Sequence, residues 1–439
     1  MNKMTDKPVG ELLVSLSIPT ILSMLITTIY NIADTAFVGT LGTSQSGATG
    51  VVSGFMAILQ AIAFMCGQGA GSIMSRQLGM EKKEEATKFS STGFFFSFLL
   101  GLIIAVFSMI FMTPLLKVLG STETIAPYAR EYLFYILLSA PFFTSSLTMN
   151  NLLRYEGKAK FGTIGLMTGS VLNIFGDALL ILVFKMGIGG AAISTAVSQF
   201  ISFSILLSMF LRNKTDTKLS IKYVARDLGS FFEIAATGFP SLLRQGLNSV
   251  ATMTLNQSAA VYGDAAVSAI SIVSRLSFFP MAVAVGIGQG FQPISAFNFG
   301  AGRRDRVLEA FKKALIGSEI AIILVSVPMY IWASPLVRIL RDDTEVIKIG
   351  TRAFRLMCIG QFFVPLTMMV EMGFQSTGQK LLASIGSSLR SGVLFIPTLI
   401  ILSRVRGLNG IQEAQPLSFV LTFIVCLFLT KVYYQKIKE

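Results

Sequence analysis

Residues 67–79 read GQGAGSIMSRQLG, and residues 288–300 read GQGFQPISAFNFG. Both stretches open with Gly-Gln-Gly and close with glycine, and they begin 221 positions apart. The same offset pairs Pro19 with Pro240, Gly42 with Gly263, Ser53 with Ser274, and Gly157 with Gly378. A near-constant offset held from the first hydrophobic segment to the last indicates an internal duplication. The chain is therefore predicted to consist of two related halves.

The composition is that of a membrane protein. Of the 439 residues, 53% are hydrophobic and only 13% are charged, and the mean hydropathy is +0.69. A soluble chain carries about a quarter of its residues as charged groups. Apolar runs of about 20 residues, long enough to cross a bilayer, recur along the whole sequence. Because backbone groups in lipid must be bonded within their own segment, these runs are predicted to be helices.

Twelve spanning helices are predicted, six in each half. They cover residues 13–38, 48–75, 89–117, 127–153, 161–184, 189–211, 233–259, 267–297, 311–338, 346–374, 380–402 and 410–433. The polar residues 212–232 are predicted to form a cytoplasmic linker between an N-terminal lobe (1–211) and a C-terminal lobe (233–439). An even number of helices inserts both lobes the same way up, which predicts a pseudo-twofold axis along the membrane normal.

The basic residues predict the orientation in the membrane. The formal net charge is +13, and most of the 36 Lys and Arg residues fall in loops on one side of the predicted spans. Loops rich in Lys and Arg stay in the cytoplasm, so both termini are predicted to be cytoplasmic in a multi-pass protein of the inner (plasma) membrane. This distribution explains the positive charge without a nucleic-acid partner.

The sequence lacks the side-chain patterns of an enzyme. It has no histidine, and Cys66, Cys358 and Cys426 lie in apolar segments without the spacing of a disulfide framework or metal motif. We recognise no nucleophile–base pair, P-loop lysine or zinc-type cluster. The sequence therefore predicts a protein that is not an enzyme and needs no metal or cofactor. Proton transfer near neutral pH would have to use carboxylates.

Carboxylates interrupt two apolar segments of the first half. Asp34 lies late in the first predicted span and Asp177 lies in the fifth, whereas the matching positions of the second half are Leu255 and Thr398. A charged residue inside a span is costly unless it is paired, and such residues are commonly functional. We therefore expect Asp34 and Asp177 to be functional residues, with no counterpart in the second half.

Polar side chains share the helix faces of these acids. The pairs four residues apart are Tyr30 and Asp34, Asn173 and Asp177, and Thr195 and Gln199. Residues at this spacing are neighbours on one helix face. If the three faces converge, they form a hydrated pocket that holds a proton or a sodium ion, and a structural hydrogen-bond network is the alternative. The oxygen ligands for sodium would come from Asp34, Asn173, Asp177 and Thr195.

A proline occurs in the first helix of each half. Pro19 and its repeat partner Pro240 would each leave a carbonyl unpaired and permit a bend. The presence of proline in both copies predicts that this helix bends or stays kinked. Pro19 also lies within about 60° of the helix face that carries Asp34.

The second half has a different set of polar residues. Gln245, Asn248 and Asn256 make the seventh span polar, which suits the wall of a substrate cavity, and Glu371 is assigned to the same cavity. Arg244, Arg275 and Glu371 lie near enough to helix ends to snorkel toward the membrane surface.

Arg390 lies deeper in its span than Arg244 and requires an acidic partner. Glu319 and Glu371 are the two candidates for that partner. An ion pair of this kind could be structural or functional, and the sequence leaves both readings open.

Together these features resemble the multidrug and toxic compound extrusion (MATE) family over nearly the whole chain. The motifs that carry the resemblance are Pro19, the run Tyr30-Asn31-Ile32-Ala33-Asp34-Thr35, Asn173-x-x-x-Asp177, Thr195, Gly157-Lys158 and Gly378-Gln379. Their details are closest to the bacterial branch of DinF-like and MepA-like proteins.

The resemblance implies an antiporter that uses a proton or sodium gradient to export amphipathic, often cationic drugs by alternating access. Asp34 and Asp177 would be the coupling carboxylates, and Pro19 would be the bend of the first helix. The supporting polar network would consist of Tyr30, Asn31, Asn173, Thr195 and Gln199. The expected partners are small-molecule drugs and membrane lipid, and the expected state is a monomer.

The resemblance also raises two alternatives, a cation site in the second lobe and a different transported substrate. Some branches carry acids on helices 7 and 10, where this chain has Asn248 and Leu366, which weakens the case for a cation site in the second lobe. The nearest alternative function is a flippase for lipid-linked oligosaccharides, of related architecture. Such a flippase would need basic residues around a pyrophosphate head group, and few lie deep in the first half.

Overall fold

The structure is a computed structural model that describes residues 3–439, and these residues are helical almost throughout. The long helices of the first half are α1 (Val9–Gly39), α2 (Thr43–Gly79), α3 (Lys83–Ile110), α4 (Ala126–Tyr155), α5 (Ala159–Asp177) and α6 (Gly187–Leu211). Those of the second half are α7 (Leu228–Ala260), α8 (Asp264–Gly300), α9 (Arg304–Ile331), α10 (Thr344–Gly360), α11 (Val364–Ser376), α12 (Lys380–Ser388) and α13 (Phe395–Lys438). The predicted all-helical membrane fold is confirmed.

The helices follow the predicted spans closely. Each of α1 to α9 contains the core of one predicted span, and α10 and α11 form the tenth across the turn Gln361–Phe363. The last two spans differ from the expectation, because one helical run covers Lys380–Lys438, or 59 residues. Within it Gly407 has φ 60° and ψ −135°, a conformation that glycine adopts without strain. The predicted loop between these spans is therefore a kink at Gly407.

Hydropathy separates α7 from the other long helices. Within residues 3–439, ten helical stretches are long and apolar enough to cross a membrane, and α7 is not among them. The polar residues Gln245, Asn248 and Asn256 of α7 explain the difference. The helix is nevertheless 33 residues long, which is ample for a span.

The described chain packs as two compact units. One unit runs from Leu22 to Leu242, and the other consists of Leu243–Glu439 together with the segment that ends at Ile21. The units therefore divide α1 and α7 internally, whereas the predicted lobes, 1–211 and 233–439, follow the sequence duplication. The opening segment of each repeat thus packs with helices of the other repeat.

The duplicated glycine motifs allow this close packing. In the first unit, a Cβ added at Gly69 would collide with the backbone carbonyl of Ile234 in α7. In the second unit, a Cβ at the matching Gly290 would collide with Ser17 in α1. Small residues let helix backbones approach closely in membranes. The same repeat position therefore serves the same packing role in each unit.

The segment between α6 and α7 is held in place by hydrogen bonds. Glu156, next to the end of α4, accepts bonds from the backbone N–H groups of Asp216 at 2.9 Å and Thr217 at 3.0 Å. Lys158 pairs with the same carboxylate at 3.2 Å and with Asp216 at 2.8 Å. The predicted linker is thus anchored to the unit that contains α4.

Candidate functional site

The two acids of the first half lie together at the ends of α1 and α5. Asp34 is close to the end of α1, and Asp177 is the last residue of α5. Their carboxyl groups are close enough to interact electrostatically. Asp177 is 0% exposed, and the buried Oδ1 of Asp34 has no hydrogen-bond partner among the described residues. The pair therefore offers a buried oxygen that can accept a proton or a cation.

Asn173 connects this pair to α6. It lies one helical turn before Asp177, and its side-chain nitrogen donates to Asp177 Oδ2 at 3.1 Å. Its side-chain oxygen accepts from the backbone N–H of Thr195 at 3.1 Å. We assign the amide in this orientation because each of its atoms then faces a complementary partner. The hydroxyl of Ser194 also donates to the backbone carbonyl of Asn173 at 3.0 Å.

A widened helical turn follows Asp177 directly. Residues Ala178–Val183 form a π-helical turn, and the N–H of Phe184 donates to the carbonyl of Leu179 at 3.0 Å. Such turns insert one extra residue into a helix and are frequent at functional sites. A Cβ at the neighbouring Gly176 would collide with Ser194. The local geometry thus brings α5 and α6 together beside the acid.

Two phenol groups lie beside the acids. Tyr30, one turn before Asp34, and Tyr132 of α4 are close enough to interact electrostatically with both carboxylates. Tyr132 is 3% exposed, and its hydroxyl is within hydrogen-bonding reach of Thr195. The six residues of this carboxylate cluster are Tyr30, Asp34, Tyr132, Asn173, Asp177 and Thr195.

Tyr132 is the member of the carboxylate cluster that the sequence analysis missed. A signal was present, because Tyr132 and Ser139 are polar residues seven positions apart and therefore share one face of α4. Both are buried in the structure. A search for polar residues at helical spacing in the fourth predicted span would have found them.

Three other predicted residues lie outside the carboxylate cluster. Gln199 accepts a hydrogen bond from Ser139 at 2.6 Å, one turn beyond Thr195. Asn31 is exposed on α1. Pro19 is buried within α1, which continues as a helix on both sides of it, and it belongs to the unit that contains Leu243–Glu439. The predicted bend and the predicted roles of these residues stay predictions.

The predicted snorkelling of Arg244 and Glu371 is wrong. Arg244 is 7% exposed and Glu371 is 2% exposed, and their Nη1 and Oε1 atoms are 2.6 Å apart. The hydroxyl of Ser387 donates to the same Oε1 at 2.8 Å. These side chains turn inward because each offers the other an opposite charge, and buried charges require such partners.

Arg390 joins the same group of residues. It lies in a second π-helical turn, Leu389–Val393, and interacts electrostatically with Glu371, one of its two predicted partners. Its buried Nη1 has no hydrogen-bond partner among residues 3–439. The arginine cluster, defined as Arg244, Glu371, Ser387 and Arg390, thus contains two basic side chains and one acid.

The other residues assigned to a substrate cavity lie along α7. Asn248 is exposed, whereas Gln245 and Asn256 are half-buried. The Oδ1 atom of Asn256 is buried without a hydrogen-bond partner in the described part of the chain. Glu371 is closed off by its ion pair with Arg244. The assignment of these residues to a cavity remains a prediction.

The carboxylate cluster can hold a cation in either of two ways. Two carboxyl groups in contact can share a proton. A sodium ion would instead need oxygen ligands, which Asp34, Asp177 and the Thr195 hydroxyl could supply. The assigned orientation of Asn173 turns its amide oxygen toward the Thr195 N–H, so the amide nitrogen is the atom that faces Asp177. A proton shared by the two carboxyl groups fits this arrangement as it stands, whereas a sodium ion that used the Asn173 oxygen would require the amide to turn.

A multi-pass helical protein with carboxylates buried in its spans has the features expected of the class of membrane transporters. Comparison with known proteins identifies the family within this class. The MatE family model matches residues 19–179 and 240–401, one match in each half. The chain therefore belongs to the MatE family, the MATE family of multidrug efflux transporters, and it is a transporter rather than an enzyme. The resemblance inferred from the motifs is confirmed.

Individual relatives agree with the family assignment. The chain is 27% identical over 396 residues to the multidrug export protein MepA of Staphylococcus saprophyticus, covering 90% of this chain and 87% of that protein. It is 25% identical over 425 residues to MepA of Staphylococcus haemolyticus, covering 97% of this chain and 93% of that protein.

Solved structures share the fold. An outward-facing multidrug resistance MATE transporter of the MOP superfamily superposes with a TM-score of 0.94 at 21% identity, covering 100% of this chain and 98% of that one. A MATE transporter solved in a straight conformation gives a TM-score of 0.94, and in a bent conformation 0.92, each at 22% identity and covering 99% of this chain and 98% of that one.

Proposed function

We propose that this protein exports amphipathic, often cationic drugs in exchange for protons or sodium ions. The observation that carries the proposal is the closeness of the half-buried Asp34 to the fully buried Asp177, whose carboxyl groups interact with each other. Two negative charges in contact in a region of low dielectric repel each other strongly, so the pair is stable only with a proton or a cation. Occupancy by the cation would therefore change the conformation that the pair prefers.

The structure suggests how cation binding could reach the helices. Asp34 is on α1, whereas Asp177 and Asn173 are on α5 and bond to α6 through Thr195. A cation at the pair would draw α1 toward α5, and its loss would let the two carboxylates separate. We propose that this exchange drives alternating access, with Pro19 as the point at which α1 bends.

The proposed substrates rest on the relatives. Both Staphylococcus proteins described above are named multidrug export proteins, and we extend that activity to this chain. We place the protein in the plasma (inner) membrane with both termini in the cytoplasm, in contact with membrane lipid and as a monomer. The basic loops on one side of the spans support this orientation.

Reconstituted transport tests the proposal. The protein is placed in proteoliposomes with a fluorescent cationic dye, and a proton gradient and a sodium gradient are imposed separately. We expect dye transport with one of the two gradients, and loss of gradient-driven transport in Asp34→Asn and Asp177→Asn. Asp264→Asn, which changes an exposed acid at the start of α8, is the control and should transport normally. Normal rates and normal final gradients in both cluster variants would refute the coupling role.

A further inference from the structure

A basic pocket lies along α10, which begins on the predicted outer side of the membrane. It has a volume of about 460 Å³, within the range of small-molecule sites. Lys348, Arg352 and Arg355 line it, at the spacing of one helix face. All three side chains are exposed. This helix face therefore carries three positive charges on the predicted outer side of the membrane. Lys and Arg residues on the cytoplasmic side set the orientation of the spans, so these three are not needed for orientation.

Most of this charge is not neutralised by the protein. Arg352 pairs with Glu413 at 2.9 Å, but Glu413 also pairs with Arg406 at 2.6 Å. Lys348 and Arg355 form no ion pair within residues 3–439. One acid is thus shared by two arginines, and two further cations face the pocket without a counter-charge.

Polar and aromatic groups complete the pocket. The Arg355 guanidinium carbon lies 5.5 Å from the ring centroid of Tyr330, which lines the pocket together with Ser334. Thr351 also lines it, and its buried Oγ1 has no hydrogen-bond partner among the described residues. An acceptor-rich ligand such as a phosphate could satisfy this hydroxyl and the two unpaired cations together.

The surroundings place the pocket at the level of lipid head groups. α9 ends at Ile331, and Trp332, which is 59% exposed, follows it directly. Tyrosine and tryptophan concentrate at the membrane–water interface. The short helix Ala333–Leu340 follows and exposes Ile339 and Leu340. Apolar surface for acyl chains thus lies beside a basic pocket at the depth of a phosphate group.

We propose that this pocket binds the head group of an anionic phospholipid. The phosphate would lie between Lys348 and Arg355 and accept a hydrogen bond from Thr351, while the acyl chains lie along the exposed apolar residues of the short helix Ala333–Leu340. Basic pockets between spanning helices bind anionic lipid head groups on the cytoplasmic side of membranes, and this pocket offers the same charges on the predicted outer side. A cationic drug is disfavoured at this pocket by the same charges. This site is separate from the carboxylate cluster and does not depend on the proposed transport function.

Native mass spectrometry of the full-length protein in detergent tests the proposal. The protein is titrated with phosphatidylglycerol and, in parallel, with phosphatidylcholine, which carries no net charge. We expect tighter binding of phosphatidylglycerol. The double variant Lys348→Gln/Arg355→Gln should weaken it by about 25-fold, since each basic side chain contributes about fivefold. Arg355→Lys, which keeps the charge, should retain most of the affinity.

A charge-matched control separates a site from a general attraction. Arg341→Gln/Arg404→Gln removes two exposed cations from the same predicted side without changing the pocket lining and should leave binding unchanged. An equal loss in this control, or equal binding of both lipids, would overturn the proposal. Displacement of the lipid by equimolar inorganic phosphate would also overturn it, because the site would then take a free anion. Should the double variant fail to fold, Arg355→Gln alone is judged by the same criteria.

Discussion

The carboxylate cluster and the arginine cluster place buried charge in the two halves of one duplicated chain, but they treat that charge in opposite ways. Asp34 and Asp177 lie against each other without a basic partner in the contacts described above. Glu371, by contrast, is held by Arg244 at 2.6 Å and lies near Arg390. The second arrangement supplies its own counter-charge, whereas under the proposed function the first would take a cation from solution.

Both clusters lie beside a π-helical turn, which makes the contrast sharper. The turn Ala178–Val183 follows Asp177, and the turn Leu389–Val393 contains Arg390. A π-helical turn is therefore present in both halves. In the first half it lies next to an acidic residue, and in the second half it contains a basic one. We infer that the counter-ion, rather than the irregular backbone, distinguishes a site that responds to cations from one that stabilises the fold.

The largest expected effect on the free energy of unfolding comes from replacing a carboxylate by an amide, a change that can be made in each cluster. Glu371→Gln removes the carboxylate that pairs with the buried Arg244 and interacts with Arg390, and breaking a buried ion pair in this way costs about 3–5 kcal/mol. Asp34→Asn removes one of two repelling carboxyl groups and should leave the free energy of unfolding unchanged or raise it. Thermal unfolding of both variants in the same detergent measures the difference.

One further variant serves as the control for that comparison. Glu319→Gln, which changes a half-buried acid of the second unit, should have a much smaller effect than Glu371→Gln. Equal destabilisation by Glu371→Gln and Asp34→Asn would show that Asp34 stabilises the fold as much as Glu371 does, and the contrast between the two clusters would be wrong.

The parts of this picture that the sequence predicted are those that depend on local spacing. Runs of apolar residues predict the helices, and four-residue spacing puts Asn173 and Asp177 on one face of α5. The kink at Gly407 was expected as a loop, because a glycine between two apolar runs does not reveal how short their connection is. Local patterns therefore predicted the fold well.

The sequence could not predict pairings across long distances. Arg244 and Glu371 are 127 positions apart, and only the tertiary structure brings them together. Tyr132 reaches Thr195 across α4 and α6 for the same reason. The π-helical turns were also missed, because an extra residue in a helical turn leaves no clear mark in the apolar pattern. The positions of Arg244 and Glu371 near helix ends therefore suggested snorkelling, whereas the two side chains form an ion pair with each other.

A smaller effect is expected from Tyr132, a member of the carboxylate cluster that would position Thr195 beside the acids. Tyr132→Phe removes a hydroxyl within reach of Thr195, and a hydrogen bond contributes about 1 kcal/mol. The cation concentration that gives half-maximal dye transport should therefore change by about fivefold. Transport assays over a series of pH and sodium concentrations measure this change.

Tyr135→Phe provides the matched control for this prediction. Tyr135 is on the same helix and packs against the hydrophobic core of the first unit. Its substitution should leave the cation dependence unchanged. If Tyr132→Phe lowered the rate of transport but not its cation dependence, the hydroxyl would support the helix and would not position the carboxylate cluster.

The smallest effect concerns Asp227, an exposed carboxylate that provides a reference for the buried ones. It precedes α7, and its Oδ2 accepts bonds from the hydroxyl and the backbone N–H of Ser230, each at 2.7 Å. These bonds, with the nearby Lys88, lower the pKa of Asp227 below its usual value. A carboxyl with a lowered pKa stabilises the fold above its unfolded pKa of about 3.9, and this contribution is lost as the pH falls through the folded pKa.

Asp227→Asn isolates that pH dependence, because asparagine also caps helices but does not titrate. We expect the wild-type Tm to fall more than the Tm of Asp227→Asn between about pH 6 and pH 3, while Asp227→Ala lowers the Tm slightly at pH 6. A parallel decline in wild type and Asp227→Asn would exclude a titrating cap. Asp227 is exposed and accepts hydrogen bonds from Ser230, so its negative charge is stabilised without a buried arginine or a bound cation. The loss of fold stability on its protonation is therefore the reference for the buried carboxylates of the two clusters.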